Sequence, residues 1–211
     1  MSRFSTILNG RELQFGSVRI GRVTAGLIGI SLAVGLLSRL GDDPRVLSPL
    51  FITRYYASEG VFLSEVFHGQ IWRLITPIFI HFGILHLLFN MLWLKDLGSM
   101  IEKVFRSRLI LALVMVIGVS SNLAQFLYSG PSFGGMSGVV YGLLGFVWIK
   151  SKFDPTCPIR LHQQTVTMMI IWLLLCMAGV MEDIANAAHV VGLLVGMLWG
   201  FVSAKGVHQW R

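Results

Sequence analysis

Five polar side chains lie in stretches of this chain that are otherwise apolar: Ser137, one residue beyond PSFGG, His189 within IANAAHVVGLLVG, and His81, His86 and Asn90 within HFGILHLLFN at 81–90. A serine hydroxyl is a weak nucleophile until a neighbouring base takes its proton, and a neutral imidazole is a common base for that purpose. Ser137 and His189 are therefore the pair that could carry out acyl transfer if the fold brings them together. His86 and Asn90 stand four apart and share one helix face. Each residue also has a plainer reading. An isolated serine at a helix start is ordinarily an N-cap, and a buried histidine is ordinarily just hydrogen-bonded. His81 is read in that way, as a brace at the outer end of its helix.

The elements that must hold these side chains are membrane helices. Of the 211 residues, 55% are hydrophobic and only 13% charged, against roughly 25% charged in soluble domains. The mean hydropathy is +0.73. Six apolar segments can be drawn, at 23–40, 83–102, 109–128, 137–149, 165–181 and 184–204. The first lacks a small-residue cleavage site and is expected to be a retained helix. The two cysteines, Cys157 in a polar stretch and Cys176 in an apolar run, form no disulfide framework. The net charge of +7 is scattered at segment ends and never forms a run, which points away from nucleic acid.

An even number of spans puts both termini on one side. With the termini inside, only Arg39, Arg45, Arg54 and Arg73 of the 17 Lys and Arg fall outside, as the positive-inside rule requires. The organisation expected is an inner segment at 1–22, a six-helix body at 23–204 and an inner tail at 205–211. The connection at 41–82 is too long for an ordinary helix-bundle turn and carries Phe51, Tyr55, Tyr56, Phe62, Phe67 and Trp72. Aromatic side chains suit the headgroup zone, so this loop is expected to lie in the interface.

The fourth segment is short. From Ser137 to Lys150 a helix rises about 21 Å, against about 30 Å of hydrocarbon, so Ser137 should begin below the outer surface, with free N–H groups around it. Gly138, Gly142 and Gly145 make a bare stripe on this helix, and Ala185, His189, Gly192, Gly196 and Gly200 a matching one on the sixth. Such stripes let two backbones approach closely, and their glycines are read as packing residues. If the stripes meet, Ser137 meets His189.

The motifs GMSG at 135–138, HFGILHLLFN at 81–90, the Trp72–Arg73 pair and AHVVGLLVG at 188–196, in this order, resemble the rhomboid family of intramembrane serine proteases, in the compact six-helix form typical of bacterial members. The resemblance implies that Ser137 is the nucleophile and His189 the base of a dyad. It gives His86 and Asn90, with the Ser137 backbone N–H, as oxyanion donors, and Tyr141 as an aromatic on which the histidine ring stacks. Gly135 is implied as the small residue beside the serine, and Trp72 and Arg73 as structural residues of the long loop. It further implies transmembrane protein substrates, a multi-pass position in a bacterial inner membrane with the site opening to the extracytoplasmic side, and a lateral gate at the fifth span, where Met168, Met169, Trp172 and Met177 are bulky. Lys95 and Asp96 depart from the pattern, at a place where apolar residues are commoner. No metal-ligand set or nucleotide loop is visible, so no cofactor is expected. Glu182 and Asp183 lie outside the i−3 and i−4 positions of His189, which agrees with a dyad. A non-cleaving relative would be expected to lack Ser137 or His189, and a transporter to show two related halves; this chain has both residues and no internal repeat.

Overall fold

The computed structural model describes residues 5–8, 11–14, 19–54, 62–179 and 184–206. Tyr55, Tyr56, Glu182, Asp183 and most of the C-terminal tail lie outside the described residues. The chain is overwhelmingly helical, in the order β1 (Ser5–Leu8), β2 (Arg11–Gln14), α1 (Arg22–Leu37), α2 (Pro44–Leu47), α3 (Ser64–Phe67), α4 (Ile84–Trp93), α5 (Ser99–Ser129), α6 (Ser137–Phe153), β3 (Ile159–Leu161), α7 (Gln163–Met177) and α8 (Asn186–Gly206). Each apolar segment read from the sequence contains a helix. Among the described residues, two helical stretches are long and apolar enough to cross a membrane, Ile84–Ser129 and Asn186–Lys205, whereas Arg22–Leu37 and Gln163–Met177 are apolar but shorter. The shortness has a local cause in α1, which is stopped by three successive residues at positive φ, Arg39, Leu40 and Gly41.

Between α4 and α5 the backbone widens into a π-helical segment, Leu94–Gly98, which contains the two atypical residues Lys95 and Asp96. Arg106, at φ 70° and ψ 163°, then divides α5 into two helices across a kink. The outward faces of α1, α4, α5, α7 and α8 leave many large apolar side chains exposed, among them Leu36, Leu88, Leu92, Leu127, Leu174 and Leu198. Water does not tolerate an apolar surface on that scale, and lipid does.

α6 is the buried centre, packed most closely against α8 and then against α5. Its glycines explain how. A methyl group on Gly196 would fall onto the Gly142 carbonyl, and one on Gly192 onto the Gly138 carbonyl. A methyl on Gly145 would lie 2.5 Å from the Leu193 carbonyl. The two backbones thus touch where neither has a side chain, which is how small residues join helices in lipid.

Charge that the sequence left at helix ends is in fact buried and paired. Lys150 lies in the last turn of α6, 3.1 Å from Asp154, and also donates to the Ser203 carbonyl at 3.3 Å. Glu102, 7% exposed, accepts from Val23 N–H, Thr24 N–H, the Thr24 hydroxyl and the Ser107 hydroxyl at 2.7 to 3.0 Å. Gly21 has no side chain to cap α1, so a carboxylate from α5 caps it instead, where the helix dipole favours negative charge.

The sequence reading had no strands, and treated 1–22 as a plain inner segment. The described residues contain a small antiparallel sheet in the order β2-β1-β3. Thr6, Ile7 and Leu8 pair with Leu161, Arg160 and Ile159, so the N-terminal segment and the α6–α7 connection lie at the same end of the bundle. Short polar stretches flanking long apolar runs gave no alternation strong enough to show this.

The long connection is folded around two buried charges. Arg73, 3% exposed, donates from Nη1 to the carbonyls of Ser48 and Phe51, each at 2.8 Å, and from Nε to Gln70 Oε1 at 2.7 Å. Its neighbour Trp72 is half exposed, as are Phe62 and, more fully, Phe67. Glu65 accepts from the Thr53 hydroxyl at 2.6 Å and from Arg54 N–H and Nε at 3.1 and 3.0 Å. Burial alone would raise the Glu65 carboxyl, but these hydrogen bonds outweigh it and hold its pKa at about 2, against an ordinary 4.5.

Replacing Gly196 with Val should lower the thermal midpoint sharply, by the equivalent of about 1–3 kcal/mol or more for an overpacked contact. Gly26→Ala in α1, where an added methyl meets nothing, should leave it unchanged or slightly raised. Because the Glu65 pKa is depressed in the fold, its stabilisation is complete above about 4.5 and disappears as pH falls through about 2. Glu65→Gln should accordingly be less stable than the parent chain at pH 7, and the difference should close over that acid range; a pH-independent difference would contradict the clamp.

Candidate active site

α6 starts where the chain can no longer be anything but tight. Gly134 lies so close to the preceding segment that a methyl there would meet Ile80 Cβ at 2.6 Å and the Ile80 carbonyl at 2.9 Å, and Gly135 has φ +129°, which favours glycine. The Gly135 N–H bonds the Pro77 carbonyl at 3.1 Å. Met136 is the N-cap and has no side-chain capping bond, so Ser137 is the first residue of the helix and not its cap. Its hydroxyl points across to α8 instead, where Ser137 Oγ and His189 Nε2 are 2.7 Å apart.

His189 is held from both sides of the chain. Its N–H bonds the Ala185 carbonyl at 3.2 Å, and the preceding N–H, of Ala188, bonds Gln125 Oε1 at 3.1 Å. The imidazole is 5% exposed. Among the described residues its Nδ1 has no hydrogen-bond partner. With Nε2 accepting from the serine, Nδ1 carries the proton. The Tyr141 ring lies beside it, centroids 5.0 Å apart at 42°, a tilted contact where the sequence reading expected stacking. The Tyr141 hydroxyl donates to the Met169 carbonyl of α7 at 3.2 Å.

The other wall comes from α4 and the segment before it. A methyl on Gly135 would lie 2.8 Å from His86 Nε2 and 3.6 Å from Ser137 Oγ, so the glycine leaves an open space with the imidazole on one side and the hydroxyl on the other. Asn90 Nδ2 donates to the His86 carbonyl at 2.9 Å. One of its two N–H groups is therefore engaged with its own helix, which the spacing alone did not reveal. His81 is fully buried, and its Nε2 accepts from the Met136 N–H at 3.4 Å while Nδ1 faces the Phe79 carbonyl at 3.1 Å. It also packs edge-on against His86, centroids 5.1 Å apart. His81 thus braces the turn leading into Ser137, where the sequence suggested the end of the second span. On the α7 side, Met168, Trp172 and Met177 face outward and Met169 inward, with Trp172 and Phe89 6.5 Å apart.

Three polar residues of α5 escaped the sequence reading. Ser121 lies against both Gly138 and Gly192, within 2.9 to 3.0 Å of where their methyl groups would be. Asn122 donates to the Leu74 carbonyl at 2.8 Å, and Gln125 holds the start of α8 as described. The signal was present, since polar groups within an apolar run need partners, but it was applied to the second, fourth and sixth segments and not to the third.

A half-buried hydroxyl 2.7 Å from a buried imidazole, at the start of a central helix, is an arrangement that could activate a serine within an apolar helical bundle. The family model for the rhomboid domain matches residues 68–206. The chain is 36% identical over 185 residues to the rhomboid protease GlpG of Yersinia pestis (strain Pestoides F), covering 86% of this chain and 62% of that protein. It is 39% identical over 150 residues to the rhomboid protease GlpG of Salmonella choleraesuis (strain SC-B67), covering 69% and 53% respectively. The aligned stretch thus spans 62% or less of the length of these curated relatives. The chain belongs to the rhomboid family.

His81→Phe retains a ring but cannot accept from Met136 N–H. It should slow labelling of Ser137 by a fluorophosphonate about 10- to 100-fold through misplacement of the serine, with helical content by circular dichroism retained. An unchanged labelling rate would show that the turn does not depend on this bond.

Proposed function

We propose that the protein is an intramembrane serine endopeptidase that cleaves transmembrane proteins in or near their spans through a Ser137–His189 dyad. The observation that carries this reading is the 2.7 Å contact between Ser137 Oγ and His189 Nε2. Membership of a family that includes the rhomboid proteases named above supports the substrate class.

In this mechanism His189 Nε2 takes the hydroxyl proton as Ser137 Oγ attacks the peptide carbonyl carbon. The developing oxyanion is received by the Ser137 N–H, His86 and the remaining N–H of Asn90. His189 then delivers the proton to the departing amine, leaving an acyl-serine, and a water activated by the same imidazole hydrolyses it. With no acidic residue required, the ring is oriented by Tyr141 and the α8 backbone. A substrate helix must unwind locally first, because its peptide bonds are shielded by their own hydrogen bonds.

The topology that fits is six spans formed by α1, the α4 to α5 stretch divided at Arg106, α6, α7 and α8, with both termini on the cytoplasmic side and the site open to the extracytoplasmic side. Pairing of β1 with β3 supports a shared side for the N-terminal segment and the α6–α7 connection. The long connection then rests in the outer interface on Phe62, Phe67 and Trp72, and α7 is the element whose displacement from α4 would admit substrate.

Ser137→Ala and His189→Ala should each abolish cleavage of a model transmembrane substrate by the purified protein, and fluorophosphonate should label the parent chain and not Ser137→Ala. Cleavage retained by either variant would remove the dyad.

A further inference from the structure

A second cleft, of about 560 Å³, opens between the start of α1 and the α5 turn. It lies at the far end of the bundle from the Ser137 site, since Glu102 follows His86 by 16 residues, roughly 24 Å along the helix. Arg19, Arg22 and Lys103 line it together with Glu102, Ser99 and Ser107. Among the described residues none of the three cations makes an ion pair. Glu102 offsets only part of this charge, because it is one carboxylate against three cations and its oxygens are held by the four donors that cap α1 and hold Ser107. The Ser107 hydroxyl is used in the same way, but that of Ser99, a residue 1% exposed, has no partner. Three cations against one carboxylate, with an unused buried hydroxyl donor, give one cleft the positive excess and the donor that recognise a phosphate group. Basic pockets between helices at the cytoplasmic surface are where anionic headgroups bind.

We propose that this cleft binds the phosphate of an anionic phospholipid of the cytoplasmic leaflet, with Arg19, Arg22 and Lys103 supplying the charge and Ser99 a hydroxyl donor. The site rests on the membrane orientation given above, but not on the dyad. Zwitterionic lipids carry the same phosphate with an attached cation, which the three basic side chains disfavour. Binding there would fasten α1 to the α5 turn at the cytoplasmic surface.

The test is native mass spectrometry of the purified chain after exchange into an equimolar mixture of phosphatidylglycerol and phosphatidylcholine. Phosphatidylglycerol should be retained about tenfold or more over phosphatidylcholine, and Arg22→Gln with Lys103→Gln should remove that preference. Arg45→Gln, at an exposed arginine already paired with Asp43, should leave it intact. Ser99→Ala alters no charge and should lower retention several-fold, so it decides the matter if the double variant does not fold. Equal retention of the two lipids, an unaltered preference in the double variant, unchanged retention of phosphatidylglycerol in Ser99→Ala, or an equal loss in Arg45→Gln would overturn the site. Displacement of lipid by millimolar inorganic phosphate, with the phosphate itself retained, would assign a free-anion site and overturn the lipid source. Ser137→Ala should keep the preference: selectivity without cleavage counts against the protease reading alone, and cleavage without selectivity against the cleft alone.

Discussion

Contact between two bare stretches of backbone sets the geometry of this molecule. Lipid offers no hydrophobic driving force to press helices together, so α6 and α8 are held by close packing, which requires that neither carry side chains along the line of contact. The Gly138–Gly192 and Gly142–Gly196 approaches satisfy that condition. They also place the first turn of α6 beside the first turn of α8. A hydrogen bond between a serine on one and a histidine on the other follows from the helix separation, and it would not survive a side chain interposed below it.

The polar groups of the bundle obey a second constraint, that each buried charge or amide must find partners within the protein. Arg73 gathers carbonyls of the long connection, Glu65 gathers donors from the same connection, and Glu102 gathers the first N–H groups of α1. These saturated groups give rigidity to segments that have few turns of regular structure. His189 Nδ1 is one of the buried atoms that depart from that pattern among the described residues, with the hydroxyls of Ser31, Ser99, Ser121 and Thr165 and the amide oxygen of Asn186. The His189 ring lies beside the Tyr141 ring, with Nε2 against the Ser137 hydroxyl.

Much of this was legible beforehand. The glycine stripes predicted which helices touch, and the intramembrane serine and histidine predicted what would be found at their ends. His86 was also readable, because a histidine in an apolar run demands explanation, whereas the place of Gly135 beside the serine came from the resemblance to the rhomboid motif. Less legible were contacts made by backbone atoms or across long separations. Nothing in the spacing of His81 shows that it receives the Met136 N–H, and nothing in Asn90 shows that the His86 carbonyl takes one of its hydrogens. Lys150 looked like an inner charge in water because its partner Asp154 lies beyond the apolar run, four residues along a helix longer than expected. β3 was hidden because its pairing with β1 joins segments some 150 residues apart, and the β1–β2 hairpin because four-residue strands carry too little alternation to show.

That separation has a bearing on assembly. β1 is synthesised before α1, yet its partner β3 follows α6 in the chain. The edge of β1 must wait, unpaired on that side, until the bundle centre has been made and threaded, since long-range strand pairing comes only after the intervening chain is in place. The sheet is therefore a late clasp: its closure requires that α6 has already been made, and it ties the segment before α1 to the connection that follows α6.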